Sequence, residues 1–451
     1  MTDVVSLDRF DLGERLAVLR HRGFRRLLAG RAVSVLGDGL YTVAAMWLVY
    51  ELTGSTAYTG IAGFLTGIPG LFSVLVGPIV DRSALERVLT LSEIGQGIVV
   101  LVVPLAWATG NLTVGVVLAT MPVLSLVGLF ANPAQNAAVP RLVPSDALVR
   151  ANAATTTVRK TVDATARGVG GLLVAAVGAV GVYVVDAATF GLAALVFLGL
   201  SVPAAESATD EGRADDAAGE DGGDATDLDD DEADADEDDD GFDLATYRAD
   251  LREGVATIAG SELGLMVVGS LFANFLFGVA FAVLPAFADG IGDAGTYGLL
   301  LAGLTVGTVF GSLAASTTES YPLGWTTIVS LTSSGALFAV GVWLATPLVT
   351  VGLVALSRVP IGIYNVSVMA TLQSGVPQDR LGRVSSALGS AASLVSPVGI
   401  LVGGFLGNVY GAPTVLLASA AGTVLTALFW LATPSLRRFG PPVDVEQGRF
   451  A

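Results

Sequence analysis

The sequence specifies an all-α membrane protein of twelve transmembrane helices, built as two six-helix repeats of the same topology. Three observations carry this reading. Apolar residues make up 53% of the 451-residue chain and mean hydropathy is +0.70, beyond what a soluble domain carries. Nearly uncharged stretches of about 20 residues recur along it, each long enough to cross ~30 Å of hydrocarbon as a helix. The segment Val143-Pro144-Ser145-Asp146-Ala147-Leu148-Val149-Arg150 recurs as Val376-Pro377-Gln378-Asp379-Arg380-Leu381-Gly382-Arg383, identical at five of eight positions and displaced by 233 residues. The same displacement pairs Asn132 with Asn365 and Gly170-Gly171 with Gly403-Gly404.

Taken in order, residues 1–26 hold six Arg and four acids and read as a cytoplasmic N-terminal segment, not a cleavable signal. His21, the single histidine, sits among Arg20, Arg22, Arg25 and Arg26 and reads as part of a solvated flank. Six spans fill an N-terminal half, residues 27–202, at roughly 27–52, 58–80, 88–108, 114–132, 157–178 and 182–202. A cytoplasmic linker, 203–243, follows. Its stretch 206–243 contains 20 of the 41 acidic residues and one basic residue, so removing its charge of -19 leaves +1 for the rest. Dense like charge with few aromatics offers nothing to offset ordering entropy, and the linker reads as disordered. The C-terminal half, residues 244–432, opens with an amphipathic helix over 242–260. Its spans lie near 264–287, 298–316, 325–343, 348–369, 385–406 and 413–432, ahead of a cytoplasmic tail, 433–451.

Orientation follows from the arginines. With both termini in the cytoplasm, the outer loops near 53–57, 109–113, 179–181, 288–297, 344–347 and 407–412 contain no Lys or Arg. Arg82, Arg87, Arg141, Arg150, Arg380, Arg383, Arg437 and Arg438 then all lie on the cytoplasmic side. Trp47, Trp107, Trp325, Trp343 and Trp430 fall near span ends, as an interfacial belt. Lys160 is the only lysine among 23 basic residues; with the acidic linker this bias fits a halophilic source, and lysine avoidance alone equally fits a GC-rich genome.

Two parallel six-span halves joined by a cytoplasmic linker are the arrangement of the major facilitator superfamily, and the chain resembles that family locally. Gly77-Pro78-Ile79-Val80-Asp81-Arg82, followed by Arg87, resembles its signature between spans 2 and 3, with Leu85 and Glu86 standing where basic residues are usual. Leu36-Gly37-Asp38, the stretch Trp47-Leu48-Val49-Tyr50-Glu51-Leu52-Thr53-Gly54, and Gly382-Arg383-Val384 are most similar to the branch of enterobactin exporters and macrolide efflux pumps. The resemblance implies the superfamily fold, alternating access, and a gating role for Gly77, Asp81, Arg82 and Arg87.

Charges inside spans are the candidates for transport chemistry. An ionised side chain at mid-bilayer costs about 2.5–3.5 kcal/mol on the insertion scale, so it should face a cavity or a partner. Asp38 on span 1, with Ser34 on the same face, reads either as a proton carrier or as a helix-packing carboxylate. Asp163 and Arg167 are four residues apart on span 5, facing one another as a structural pair or offering Arg167 to an anionic substrate. Arg167 also stands where the family's exporter signature has a proline before the paired glycines. Arg358, midway along span 10 and four residues before Gly362, resembles a motif the family carries on span 4, and its repeat counterpart here is Ser125. Asp38, Asp163, Arg167 and Arg358 sum to zero charge, so a single proton and substrate cavity holding all four is the expected arrangement. Glu93 on span 3 reads as a packing or gating residue, and Asp186 as interfacial near the outer end of span 6.

The leading function is a secondary carrier, a proton-coupled antiporter exporting small amphipathic molecules. An importer or lipid-handling carrier of the same fold is the alternative within transport, and a membrane sensor or scaffold the alternative outside it. An enzyme is not expected, because the chain has no Cys and one peripheral His from which to build a nucleophile, base or metal set. No Walker-type loop points to ATP. No cofactor, metal or nucleic acid is expected. The expected partners are the lipid bilayer, the substrate and a coupling proton, and the expected state is a monomer in the plasma membrane.

Overall fold

The protein is described by a computed structural model covering residues 18–72, 76–77, 79–80, 82–203 and 262–445. The linker beyond Pro203, the amphipathic helix expected at 242–260, Asp81, and residues 1–17 and 446–451 lie outside the described residues. All regular elements among the described residues are helical. They are α1 (Arg22–Thr53), α2 (Thr56–Gly67), α3 (Leu85–Val100), α4 (Val102–Ala108), α5 (Val114–Gly128), α6 (Ala131–Leu142) and α7 (Leu148–Leu198), then α8 (Glu262–Ile291), α9 (Ala294–Ala314), α10 (Leu323–Leu344), α11 (Pro347–Gly375), α12 (Gln378–Tyr410), α13 (Ala412–Ala432) and α14 (Pro434–Arg437). Nine helices among the described residues are long and apolar enough to cross a membrane. Leu195, Leu313, Trp343 and Leu348 are more than 60% exposed, as expected where the surrounding solvent is hydrocarbon.

Short turns reverse the chain where the sequence supplies the required backbone. Gly54 ends α1 at φ 60°, its N–H closing onto the Tyr50 carbonyl. Asp293 starts α9 with a capping box, its carboxylate accepting from the Thr296 N–H at 2.9 Å. Gly178 breaks α7 at φ 76° and ψ 162°, a conformation open to glycine and costly for other residues. One residue therefore makes the reversal expected of the loop at 179–181. Other boundaries also move: α7 begins at Leu148, before the start expected at 157, and α6 carries the fourth pass on to Leu142, past the end expected at 132.

These reversals give the bundle a basic end, where exposed Arg22, Arg82, Arg87, Arg150 and Arg438 lie, and a neutral end, where the turns carry no Lys or Arg. One hydrophobic cluster around Val43, Val49, Tyr183, Val283 and Tyr297 draws on both halves of the chain. Among the described residues, the packing at the basic end divides into two clusters. One cluster, around Phe24, Leu89 and Phe197, contains only residues before 203, and another, around Leu263, Trp430 and Phe439, only residues after 262. Trp430 is thus fully buried, against the expectation of an interfacial belt, because Gly269 leaves room beside its indole. Trp107, Trp325 and Trp343 are exposed near helix ends, while Trp47 stacks on Tyr297 at 6.0 Å between the halves.

Candidate functional site

Asp38 is flanked on α1 by Gly37 and Gly39, and those glycines decide what surrounds it. A Cβ on Gly39 would lie 2.5 Å from the Ala166 Cβ and 3.4 Å from the Asp163 carbonyl, so the first stretch of α7 packs directly on α1. A Cβ on Gly37 would run into Asp186 and Thr189 on the second stretch of α7. Asp38 itself is half-buried, and the charges acting on it are those of Arg31, Asp163 and Arg167. Three of the four expected cavity residues are therefore together. Asp163 and Arg167 form the expected pair, with Arg167 Nε 2.9 Å from Asp163 Oδ2, both about a quarter exposed.

Two further carboxyls join this region. Glu93 on α3 is 1% exposed, lies in reach of the Ser34 hydroxyl, and has an Oε2 without a hydrogen-bond partner. Asp186 is wholly buried; the Thr189 hydroxyl donates to its Oδ1 at 3.3 Å and its Oδ2 has no partner. This corrects the interfacial placement of Asp186: the helix restarts at once after Gly178, and Gly37 leaves space for a carboxyl between α1 and α7. Tyr41 and Tyr183 meet edge-to-face at 5.5 Å beside it, and neither hydroxyl has a partner. Arg31, which carries no motif that would single it out in the sequence, donates to the Asn132 side chain at 2.7 Å and acts on both Asp38 and Glu93. A carboxyl buried in this way marks an ion or proton pathway more often than a packing accident. Among the described residues, no group of acids and histidines is arranged to hold a metal.

Arg358 lies elsewhere. It lines a cavity of about 390 Å³ walled by α8, α9, α10, α11 and α13, to which no residue before Ser270 contributes. The cavity expected to unite it with Asp38 is thus two sites, one in each half. Of the gating residues, Gly77 is half-buried and Arg82 and Arg87 are exposed at the basic end, where the Ser83 N–H closes a turn on the Val80 carbonyl.

The halves meet through a seam at the neutral end. The Thr56 hydroxyl donates to the Gly404 carbonyl at 2.8 Å, Thr59 to the Ala282 carbonyl at 2.6 Å, and the Ser55 and Asn408 side chains bond at 2.9 Å. Beneath them Gly60 faces Gly404, Gly63 faces Ile400 and Gly67 faces Pro397, while Gly171 of α7 faces Gly298 of α9. A Cβ on Gly60 would stand 2.9 Å from the Gly404 Cα, so the backbones approach as closely as only small residues permit. The sequence signals this seam only through paired glycines, whose partners lie in the opposite half.

Comparison with known proteins agrees with this architecture. The family described as Major Facilitator Superfamily matches residues 27–400. The multidrug efflux pump Tap of Mycolicibacterium fortuitum is 26% identical over 426 residues, 89% of this chain and 93% of the pump. Tap of Mycobacterium bovis is 30% identical over 187 residues, 40% of this chain, and the match spans 44% of that pump, less than half its length. Among solved structures, a variant of the nucleoside transporter NupG superposes with a TM-score of 0.68 at 14% identity, covering 91% of this chain and 99% of its own. A bacterial homologue of the human lysosomal transporter Spinster, inward-facing and unoccupied, gives 0.66 at 14% identity, covering 93% and 96%. At such identities the structural likeness shows the fold alone. The family and these relatives are transporters and not enzymes, and the chain belongs to the Major Facilitator Superfamily as an integral, multi-pass membrane transporter.

Proposed function

We propose that the protein exports small amphipathic molecules in exchange for protons, by alternating access between two six-helix halves. The observation that carries this is the one-ended seam: among the described residues the halves join through glycines and hydroxyls toward the neutral end, while at the basic end each half has a hydrophobic cluster of its own. A carrier resting in one state is built this way, because its substrate path must be shut on one side and reachable from the other. With the arginine-rich end in the cytoplasm, the state is open inward, and both termini and the 203–243 linker are cytoplasmic. The nine long apolar helices support the twelve passes proposed, with α7 counted twice across Gly178 and one pass each taken to begin at α2 and to run along α12. The halves are then 27–202 and 244–432, parallel repeats of one unit. Distant similarity to Tap along 93% of that pump supports efflux as the direction, and the plasma membrane is the proposed site. The local resemblance to enterobactin and macrolide exporters supports a position near that branch. A monomer suffices, since the path lies between the halves of one chain.

Asp38 takes up and releases the coupling proton, with Glu93 and Asp186 behind it and the Asp163–Arg167 pair beside it. Gly77, Asp81, Arg82 and Arg87 gate the basic end. The test is uptake of lipophilic dyes and antibiotics into inside-out vesicles, with and without an imposed proton gradient. Accumulation that requires an acidic lumen supports proton-driven efflux. Accumulation that ignores the gradient, or that appears only in right-side-out vesicles, refutes it.

A further inference from the structure

The cavity in the C-terminal half is chemically lopsided. Among the described residues Arg358 is its only charged lining residue, and no described Asp or Glu lines it. The guanidinium sits 5.0 Å from the centre of the Phe277 ring and 5.9 Å from that of Phe338. Its Nε is buried without a hydrogen-bond partner, and no ion pair among the described residues includes it. Ser419 opposite also has a buried hydroxyl with no partner. Ser270 and Tyr364 bond to one another at 2.7 Å, closing one wall. A guanidinium kept only to pack would find a carboxylate or a carbonyl, because an unpaired charge within a bilayer is costly. Stacking on aromatic faces compensates for part of that cost and leaves the edge of the guanidinium, with its forked donors, open to a ligand. The volume lies in the range of small-molecule pockets, and its walls combine aromatic faces with a few hydroxyl and amide groups.

We propose that this cavity binds an amphipathic monoanion, its carboxylate or similar group on Arg358 and its apolar body against Phe277 and Phe338. This deepens the carrier reading by naming a substrate class, while binding itself requires neither a gradient nor turnover. An acidic lipid headgroup offers the same chemistry as an acidic cargo, and the two are separated by the choice of bilayer.

The full chain in phosphatidylcholine nanodiscs, at equilibrium and without a gradient, is titrated with naphthoate and with its neutral analogue naphthalenemethanol. Naphthoate should bind at least about tenfold more tightly, the gain expected of hydrogen bonds to a charged group. Arg358→Gln should erase that preference, Arg358→Lys should keep part of it, and Phe338→Ala should weaken both probes alike. Thermal unfolding without probe establishes that each variant is folded. Equal affinity of the wild-type chain for the two probes overturns the proposal, as does an undiminished preference in a folded Arg358→Gln. Repeating the titration in phosphatidylglycerol nanodiscs fixes the source: loss of naphthoate binding there assigns the site to lipid headgroups, and unchanged binding assigns it to cargo.

Discussion

The two halves of this transporter enclose opposite kinds of ionisable group. Between α1, α3 and α7, the N-terminal half encloses Asp38, Glu93 and Asp186, with Arg31 and the Asp163–Arg167 pair at the margin. The C-terminal half holds one half-buried arginine against two phenylalanines, with no acid among the described residues that line its cavity. Each set is held by its own bundle, and the seam between bundles is made of glycines and hydroxyls. The difference teaches how such a carrier can couple two events without a direct ion pair. On the function proposed, proton chemistry on one half and ligand chemistry on the other need only bias the same rigid-body equilibrium.

The sharpest way to break this division is to remove the titratable charge from the N-terminal half. Asp38→Asn should reduce gradient-driven accumulation to background while exchange of labelled substrate at equilibrium continues, because only the coupling step needs that carboxyl to change state. Vesicle uptake and counterflow measured on one preparation separate the two. An Asp38→Asn variant that still concentrates substrate would move the proton site elsewhere, Asp186 or Glu93 being the next to test.

A bulky residue in the seam should have the next largest effect. Gly60→Val would press a side chain into the Gly404 backbone, costing about 1–3 kcal/mol by overpacking. That cost falls on the state closed at the neutral end and not on its opposite, so the population should shift about 5- to 150-fold toward opening there. Labelling of a cysteine at Val283, wholly buried in the seam against Gly407, should accelerate from the outside accordingly, and an unchanged rate would mean the seam does not control access.

Smaller effects follow from single hydrogen bonds. Thr56→Val removes the bond to the Gly404 carbonyl and should weaken the same closure by about 1 kcal/mol, a diminished copy of the Gly60 result. Asp163→Asn should cost the least, about 0.5 kcal/mol in thermal stability, since the pair with Arg167 is an i,i+4 contact a quarter exposed. A severe transport defect in a stable Asp163→Asn variant would promote the pair from margin to mechanism.

What is legible in the sequence is whatever depends on one helix. The hydropathy pattern carries the helical class, and the four-residue spacing of Asp163 and Arg167 carries their ion pair. Contacts between helices are not legible in the same way. Asp186 looks interfacial in sequence because its surroundings are set by Gly37, 149 residues earlier, and nothing local says which face of a helix meets which neighbour. Charge neutrality suggests that Arg358 joins Asp38, but neutrality constrains totals and not positions, and Arg358 stacks instead on aromatic rings in its own half. Gly404 stands out as one of a repeated pair, while its partner Gly60 carries no mark at all. The reversal at Gly178 reads as a short loop at 179–181, since the glycine's φ is invisible until the chain is built.

The central claim is that the halves trade one meeting place for another. The chain contains no cysteine, so spin labels can be placed pairwise without removing native residues. One pair, at exposed Glu51 and Val409, reports the neutral end, and a second, at exposed Ser145 and Ser320, reports the basic end. Electron–electron distance measurements in nanodiscs, on the resting protein and after acidification with substrate present, should show the first distance lengthen as the second shortens. Two distances that stay fixed, or that change in the same direction, would contradict alternating access about this seam.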